Sequence, residues 1–211
     1  MDKLTVAEVP EMFEKVAEIF AEKKDELCAM DAAMGDGDLG LTMSKGYGAL
    51  PGFLRETAAE GEIGKQMMKA GMKMQNEVPS TMGTLMSSGI MQAGKAFKGK
   101  TELAAADLAT AFAEGIKKRG KCELGDRTIL DSVDAGAKKA AALVESNPDA
   151  TFAEVITAAV DGAGEGVEAT KDMVPKFGKA AVHAAKAKGV ADQGALAGYY
   201  MLLGLKNYFV A

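Results

Sequence analysis

Val9-Pro-Glu-Met12-Phe13-Glu-Lys-Val16-Ala-Glu-Ile19-Phe20 repeats its apolar side chains at steps of three and four residues. That period matches the turn of an α-helix and sets Val9, Met12, Phe13, Val16, Ile19 and Phe20 on one stripe. The stretch predicts a helix that faces a core and runs on toward Met30. The same period recurs outward along the chain. A second helix is expected from near Gly40, fading across residues 46–51 where glycine and proline interrupt it. A methionine-rich helix carries Ile63, Met67, Met68 and Met74 up to Val78-Pro79, and Leu85, Met86, Ile90 and Met91 mark the next, up to Lys98-Gly99-Lys100. Residues 101–116, 129–144, 151–174 and 195–209 complete the series, with a turn at Asn147-Pro148-Asp149. In the stretch 151–174, Gly162, Gly164 and Gly166 imply either a weak helix or one packed very closely on a neighbour. No segment sustains the alternation of a half-buried strand. The expected fold is all-α, a single domain over residues 1–211 with seven or eight helices, without repeats or a linker.

Composition narrows the function classes. The 211 residues are 48% hydrophobic and 26% charged, which excludes a disordered or collagen-like chain. A net charge of −5 argues against a face that tracks nucleic-acid phosphates. Abundant alanine, 14 methionines and no tryptophan fit closely packed helices. Cys28 and Cys122 lack the spacing of a metal or disulfide pair, and both are expected as buried packing residues in a reducing cytoplasm. No run of apolar residues is long enough to span a membrane, and Met1-Asp2-Lys3-Leu4 lacks the order of a signal peptide.

The densest chemical signal is Asp31-Ala-Ala-Met-Gly35-Asp36-Gly37-Asp38-Leu39-Gly40-Leu41-Thr42. Asp31, Asp36 and Asp38 are close in sequence, and the glycines allow turns sharp enough for their oxygens to converge. Converging carboxylates repel unless a cation lies between them, and a set of hard oxygen ligands favours Mg²⁺ or Ca²⁺ over zinc. The bland alternative is a solvated acidic turn whose aspartates cap helices. Residues 40–42 would open a helix, and a helix N-terminus offers N–H donors to phosphate.

Two look-alikes fail on chemistry. Gly35-Asp-Gly37-Asp-Leu-Gly40 spells GxGxxG, but no strand precedes it and its aspartates would repel a bare pyrophosphate. Gly89-Ile-Met-Gln-Ala-Gly94-Lys95 resembles the start of a P-loop, yet Ala96 stands where a hydroxyl should hold Mg²⁺, and the segment reads as helix interior. The spacing after Asp36-Gly-Asp38 also fails the EF-hand calcium pattern. Weaker signals are Pro79-Ser-Thr81-Met82-Gly83-Thr84, where Thr81 or Thr84 reads as a cap or a phosphate cradle, the glycine-bearing segment from Arg119 to Thr128, and Gly178-Lys179 followed by Asp192-Gln193-Gly194. The lone His183 reads as a surface or satisfied histidine.

In this order the segments resemble the nucleotide-binding L subunit of dihydroxyacetone kinase, a domain also found at the C-terminus of single-chain dihydroxyacetone kinases. The resemblance covers nearly the whole chain and is strongest over residues 31–43, 119–131 and 178–195. It implies an antiparallel eight-helix barrel in which Asp31, Asp36 and Asp38 hold two Mg²⁺ ions against nucleotide phosphates. It further implies ADP or ATP contacts at Leu39, Gly40, Leu41 and Thr42, at Thr81 and Met82, at Gly120 and Ile129, at Lys179, and at Asp192, Gln193 and Gly194. The implied activity is phosphoryl transfer to dihydroxyacetone or a related short ketose held covalently on a histidine of a separate K subunit. A phosphocarrier M-type protein is the implied phosphoryl donor in some members, ATP in others; the oligomeric state, a homodimer included, is left open.

Four positions depart from the family pattern: Leu39 replaces a histidine, Met82 a serine, Lys179 an arginine and Gln193 a proline. Lysine keeps the charge of arginine and loses its bidentate fork. All four cluster at the nucleotide end while the aspartates are intact. Two rival readings follow, a non-catalytic paralogue that binds a protein partner and a simple divalent-cation protein.

Overall fold

Pro10 lies in the first turn of α1 (Val9–Glu22), where its missing N–H would have had no partner in the helix. In a computed structural model, which describes residues 4–57, 61–103 and 105–210, the whole expected stripe of α1 is buried. The helix relaxes at Lys23 (φ −90°, ψ 6°) and resumes as α2 (Lys24–Met34), which buries Leu27, Asp31 and Met34 in the same phase. The expected single helix is thus two. α3 (Leu39–Gly48) and α4 (Leu50–Thr57) follow, and Pro51 is buried in the first turn of α4. The glycine and proline read as the end of a pattern therefore end one helix and open another.

α5 (Ile63–Glu77), α6 (Thr81–Ala96), α7 (Ala105–Gly120), α8 (Ile129–Ser146) and α9 (Phe152–Ala169) come next, then the short α10 (Gly178–Val182) and α11 (Ala184–Ala187), and finally α12 (Gln193–Phe209). Side-chain caps explain several starts. Ser80 accepts from the Gly83 N–H at α6, so the cap is Ser80 rather than Thr81 or Thr84. Reciprocal capping boxes, Thr128 with Asp131 and Thr151 with Glu154, open α8 and α9. One expectation fails at residues 101–103. Leu4–Thr5 (β1) pairs antiparallel with Glu102–Leu103 (β2), Leu4 opposite Leu103, and α7 begins only at Ala105. Two-residue strands are too short to show alternation, and Ala104 and Met1–Lys3 lie outside the described residues.

Consecutive helices pack as neighbours from α4 through α9, α9 packs on α12, α12 on α1, and α1 on α4, so the packing runs in a closed circuit. Inside it lies one continuous apolar core from Leu4 to Phe209. Tyr47 of α3 is wholly buried, stacked on Phe20 at 4.7 Å between centroids, with its hydroxyl 3.3 Å from Met86 Sδ. The α8–α9 contact settles the glycine question. A Cβ on Gly162 would lie 2.6 Å from the Ala135 carbonyl oxygen, and one on Gly136 2.6 Å from that of Ala159, so the glycines mark backbone-to-backbone packing. The chain is an all-α single domain. Among the described residues no helix is long and apolar enough to cross a membrane.

Candidate functional site

The acidic turn is assembled by Asp31 in the last turns of α2. Its Oδ2 accepts from the backbone N–H groups of Gly37, Asp38 and Leu39 at 2.9, 3.1 and 3.4 Å. Gly35 makes that possible, because a Cβ there would sit 2.3 Å from Asp31 Oδ1. Gly37 adopts a left-handed φ of +76° that carries the chain back over Asp31. The result brings carboxylate oxygens of Asp31, Asp36 and Asp38 within 4.8 Å of one another, Asp31 buried and the other two exposed.

The electrostatics of the three differ. The Lys179 ammonium bonds Asp36 and holds its carboxyl below the ordinary aspartate range. Asp38 is pushed up by burial and by the neighbouring Asp36 and Asp31 carboxylates, against a smaller pull from Lys179. Three like charges beside one lysine leave a site short of positive charge.

The triad stands at one side of an open cleft of about 410 Å³, a volume in the range of small-molecule sites. Four helix starts line it: Leu39 and Thr42 from α3, Thr81, Met82 and Leu85 from α6, Ile129 from α8, and Gln193 and Gly194 from α12. Their N–H groups and dipoles supply partial positive charge suited to an anion. Asp192 caps α12 by accepting from the Ala195 N–H at 2.8 Å, and burial pushes its carboxyl up to about 6. Gln193 Nε2 donates to Asp31 Oδ1 at 3.3 Å, a bond that a proline at this position could not make.

The cleft therefore gathers Asp31, Asp36, Asp38, Leu39, Thr42, Thr81, Met82, Ile129, Lys179, Asp192, Gln193 and Gly194. Gly40, Leu41 and Gly120 are not in its lining. Gly40 serves the α2–α3 contact, where a Cβ would meet the Lys24 carbonyl oxygen at 1.9 Å. Leu41 is exposed, and Gly120 faces Cys122 and Leu85, just behind the wall. His183 is exposed at the α10–α11 junction, away from the lining; Cys122 is buried as expected, whereas Cys28 is only partly so. Ser80, Arg127 and Thr128 fall within segments that the sequence marks only weakly and assigns to no site role, and Phe177 is passed over altogether; Arg127 is a buried cation in the cleft wall. For Arg127 the local signals are the glycine-bearing segment that contains it and its place just before the Thr128-to-Asp131 capping box.

Known proteins resemble the chain over most of its length. The DAK2 domain family matches residues 33–207. Triokinase/FMN cyclase of Bos taurus is 32% identical over 175 residues, covering 82% of this chain and 30% of that protein. The PEP-dependent dihydroxyacetone kinase 2, ADP-binding subunit DhaL, of Listeria innocua is 28% identical over 188 residues, covering 87% of this chain and 86% of that subunit. The chain thus spans about a third of the triokinases and most of the subunit. The crystal structure of the dihydroxyacetone kinase from C. freundii in complex with AMP-PNP and Mg²⁺ superposes with a TM-score of 0.72 over 98% of this chain and 34% of that one, at 23% identity.

Proposed function

The chain belongs to the DAK2 domain family, and from that premise we propose that it is the nucleotide- and Mg²⁺-binding subunit of a dihydroxyacetone-type kinase. The observation that carries the reading is the convergence of Asp31, Asp36 and Asp38 within 4.8 Å at a cleft ringed by helix N-termini. The donor set fits the metal: three carboxylates are hard ligands, they repel one another without a cation, and Lys179 already supplies a cation to one of them. Asp31, Asp36 and Asp38 would hold Mg²⁺, as two ions in the family's manner. Bound there, Mg²⁺ neutralises charge on the nucleotide phosphates and polarises them.

The chain's own residues do the rest. The amides opening α3, α6 and α12, with Thr42, Thr81 and Lys179, bind the phosphates of ADP or ATP, and Leu39, Met82 and Ile129 give the remainder of the nucleotide an apolar wall. Gly40, Leu41 and Gly120 lie outside the lining and have no assigned contact with the nucleotide, and Asp192, Gln193 and Gly194 form the edge of the site. Asp31 keeps the 36–38 turn in place while an acceptor hydroxyl attacks in line, so catalysis rests on positioning and charge neutralisation. The acceptor is dihydroxyacetone or a related short ketose carried by a separate K-type subunit in the cytoplasm, with ATP or a phosphocarrier M-type protein as donor. The closed circuit of helices supports the antiparallel eight-helix barrel of the family.

Calorimetry of ADP in the presence of Mg²⁺ tests the reading. Saturable binding is expected, and it should vanish when Asp31, Asp36 and Asp38 are all changed to Asn. Equal behaviour of both proteins would sink it. A second reading, a non-catalytic paralogue that binds a protein partner, draws on Leu39, an apolar side chain buried in the core cluster where the family carries histidine. It predicts partner binding without turnover in an assay that supplies a K-type subunit, nucleotide and ketose.

A further inference from the structure

Arg127 has a left-handed backbone, φ +59°, which a non-glycine residue adopts only where its surroundings enforce it. Asp131 is the enforcing group. Its two carboxylate oxygens accept from the Gly125 N–H at 2.6 Å and the Thr128 N–H at 2.7 Å, pinning both sides of the turn that holds Arg127. The guanidinium is thereby sent inward, and its side chain is wholly buried. There Nη1 pairs with Asp192 Oδ1 at 3.4 Å, Nη2 donates to the Val190 carbonyl at 3.0 Å and lies 3.9 Å from Met34 Sδ, and Nε has no partner.

A buried charge left partly unpaired is a poor device for stability, since an apolar side chain of the same size would avoid the desolvation. What Arg127 does have is connections. Asp192 carries three bonds at once: Oδ1 to Arg127, Oδ2 to the Ala195 N–H at the start of α12, and its own N–H to Thr170 Oγ1 at 2.9 Å. The next residue, Gln193, donates to Asp31, and Asp31 accepts from the three amides of the turn bearing Asp36 and Asp38. Polar contacts, joined by the one peptide link between Asp192 and Gln193, thus lead from the Arg127 guanidinium through the start of α12 to the acidic turn.

We propose that Arg127 is a positioning residue that fixes the N-terminus of α12 against the acidic turn, and so sets the affinity for the metal–nucleotide complex without contacting either. The inference about affinity rests on the kinase reading above; the structural coupling does not. Lysine at this position would keep the charge but lose the fork whose separate nitrogens serve Asp192 and Val190.

The test uses the full chain carrying Arg127→Lys, followed by amide hydrogen exchange and by calorimetry with ADP and Mg²⁺. Exchange over residues 36–40 and 193–196 should accelerate at least about tenfold, while α9 exchanges at the wild-type rate, as a merely global loss of stability would not allow. Affinity for the ADP–Mg²⁺ complex should fall by about tenfold at a temperature well below the unfolding midpoint of the variant. Unchanged exchange at 36–40, or acceleration spread equally into α9, overturns the proposal. Should Arg127→Lys fail to fold, Arg127→Met, an apolar side chain of similar length, removes the same ion pair while leaving the Asp192 cap of α12 in place, and carries the same expectation. Absence of ADP binding by the wild-type chain would fell the kinase reading, and the exchange comparison would still decide the role of Arg127.

Discussion

Lys179 and Asp36, 143 residues apart in sequence, are joined by a bond between the lysine ammonium and the aspartate carboxylate. The pair stands at the rim of the cleft, with both side chains more than half exposed. The lysine therefore does for the acidic turn, partially, what a divalent cation would do fully, and the two compete for Asp36. Changing Lys179 to Gln should leave Mn²⁺ alone bound roughly three- to fivefold tighter, because an exposed pair of this kind is worth about 1 kcal/mol or less. The same change should weaken ADP in the presence of Mg²⁺, since a cation facing the phosphates is lost. Titration of Mn²⁺ followed by electron paramagnetic resonance, with and without ADP, separates the two effects. Weaker Mn²⁺ binding in the absence of ADP would contradict the competition.

The three aspartates should not respond alike to amidation. Asp31 accepts from three backbone amides through one oxygen, a role that an asparagine side chain fills only with its single oxygen and without the charge. Asp31→Asn should therefore lower the unfolding free energy by roughly 1–3 kcal/mol. Asp38, an exposed residue, has its charge disfavoured by the partial desolvation of its carboxyl and by the proximity of Asp36 and Asp31, so Asp38→Asn should leave stability unchanged or raise it by a few tenths of a kcal/mol, about the scale of exposed charge pairs. Urea unfolding of the two variants gives the contrast directly, and both should lose ADP–Mg²⁺ binding.

Much of this is legible in the sequence because the features are local. The stripe of α1, the acidic turn and the start of α12 each declare themselves within about a dozen residues, by helical period or by glycine and aspartate spacing. Short-range reading fails where partners come from afar. The Leu4–Leu103 bridge spans 99 positions and offers only two residues a strand, so no periodicity betrays it. The relaxation at Lys23 leaves the hydrophobic phase unbroken, which is why two helices read as one. Arg127 escapes for a different reason: arginines in glycine-bearing loops are usually solvated, and only the Asp131 clamp and the distant Asp192 bury this one.

Gly162 and Gly164 of α9 provide a matched pair for testing the close packing of α8 on α9. A Cβ at Gly162 would meet the Ala135 carbonyl oxygen at 2.6 Å, a backbone atom that cannot step aside without moving α8. At Gly164 the nearest atom would be Tyr199 Cε2 at 3.6 Å, an ordinary contact. Gly162→Ala should destabilise the fold by roughly 1–3 kcal/mol through overpacking. Gly164→Ala should stabilise it by up to about 1 kcal/mol, the gain in helix propensity. Thermal unfolding of the two variants should move in opposite directions, and a parallel shift would mean that the glycines serve something other than the α8–α9 contact.

Asp192 should leave a mark on the pH dependence of stability. Burial raises its carboxyl from 3.8 to about 6 in the folded chain, with the Ala195 N–H and Arg127 pulling the other way. The folded state then binds a proton more tightly than the unfolded state between those two values, so the stability that this group contributes falls as pH rises through the window. Below about pH 4 the contribution is full, and above about pH 6 it is gone. A carboxyl raised that far changes stability across the window by about 3 kcal/mol at most. Asp192→Asn cannot titrate, so the unfolding free energy of wild type minus that of the variant should decline from about pH 4 to about pH 7, by up to that amount. Taking the difference cancels carboxylates that titrate the other way, such as Asp36 and Asp126, whose lysine partners hold them low. Urea titrations of both proteins at closely spaced pH values measure the difference curve, and a flat curve would mean that Asp192 keeps an ordinary carboxylate affinity for its proton despite its burial.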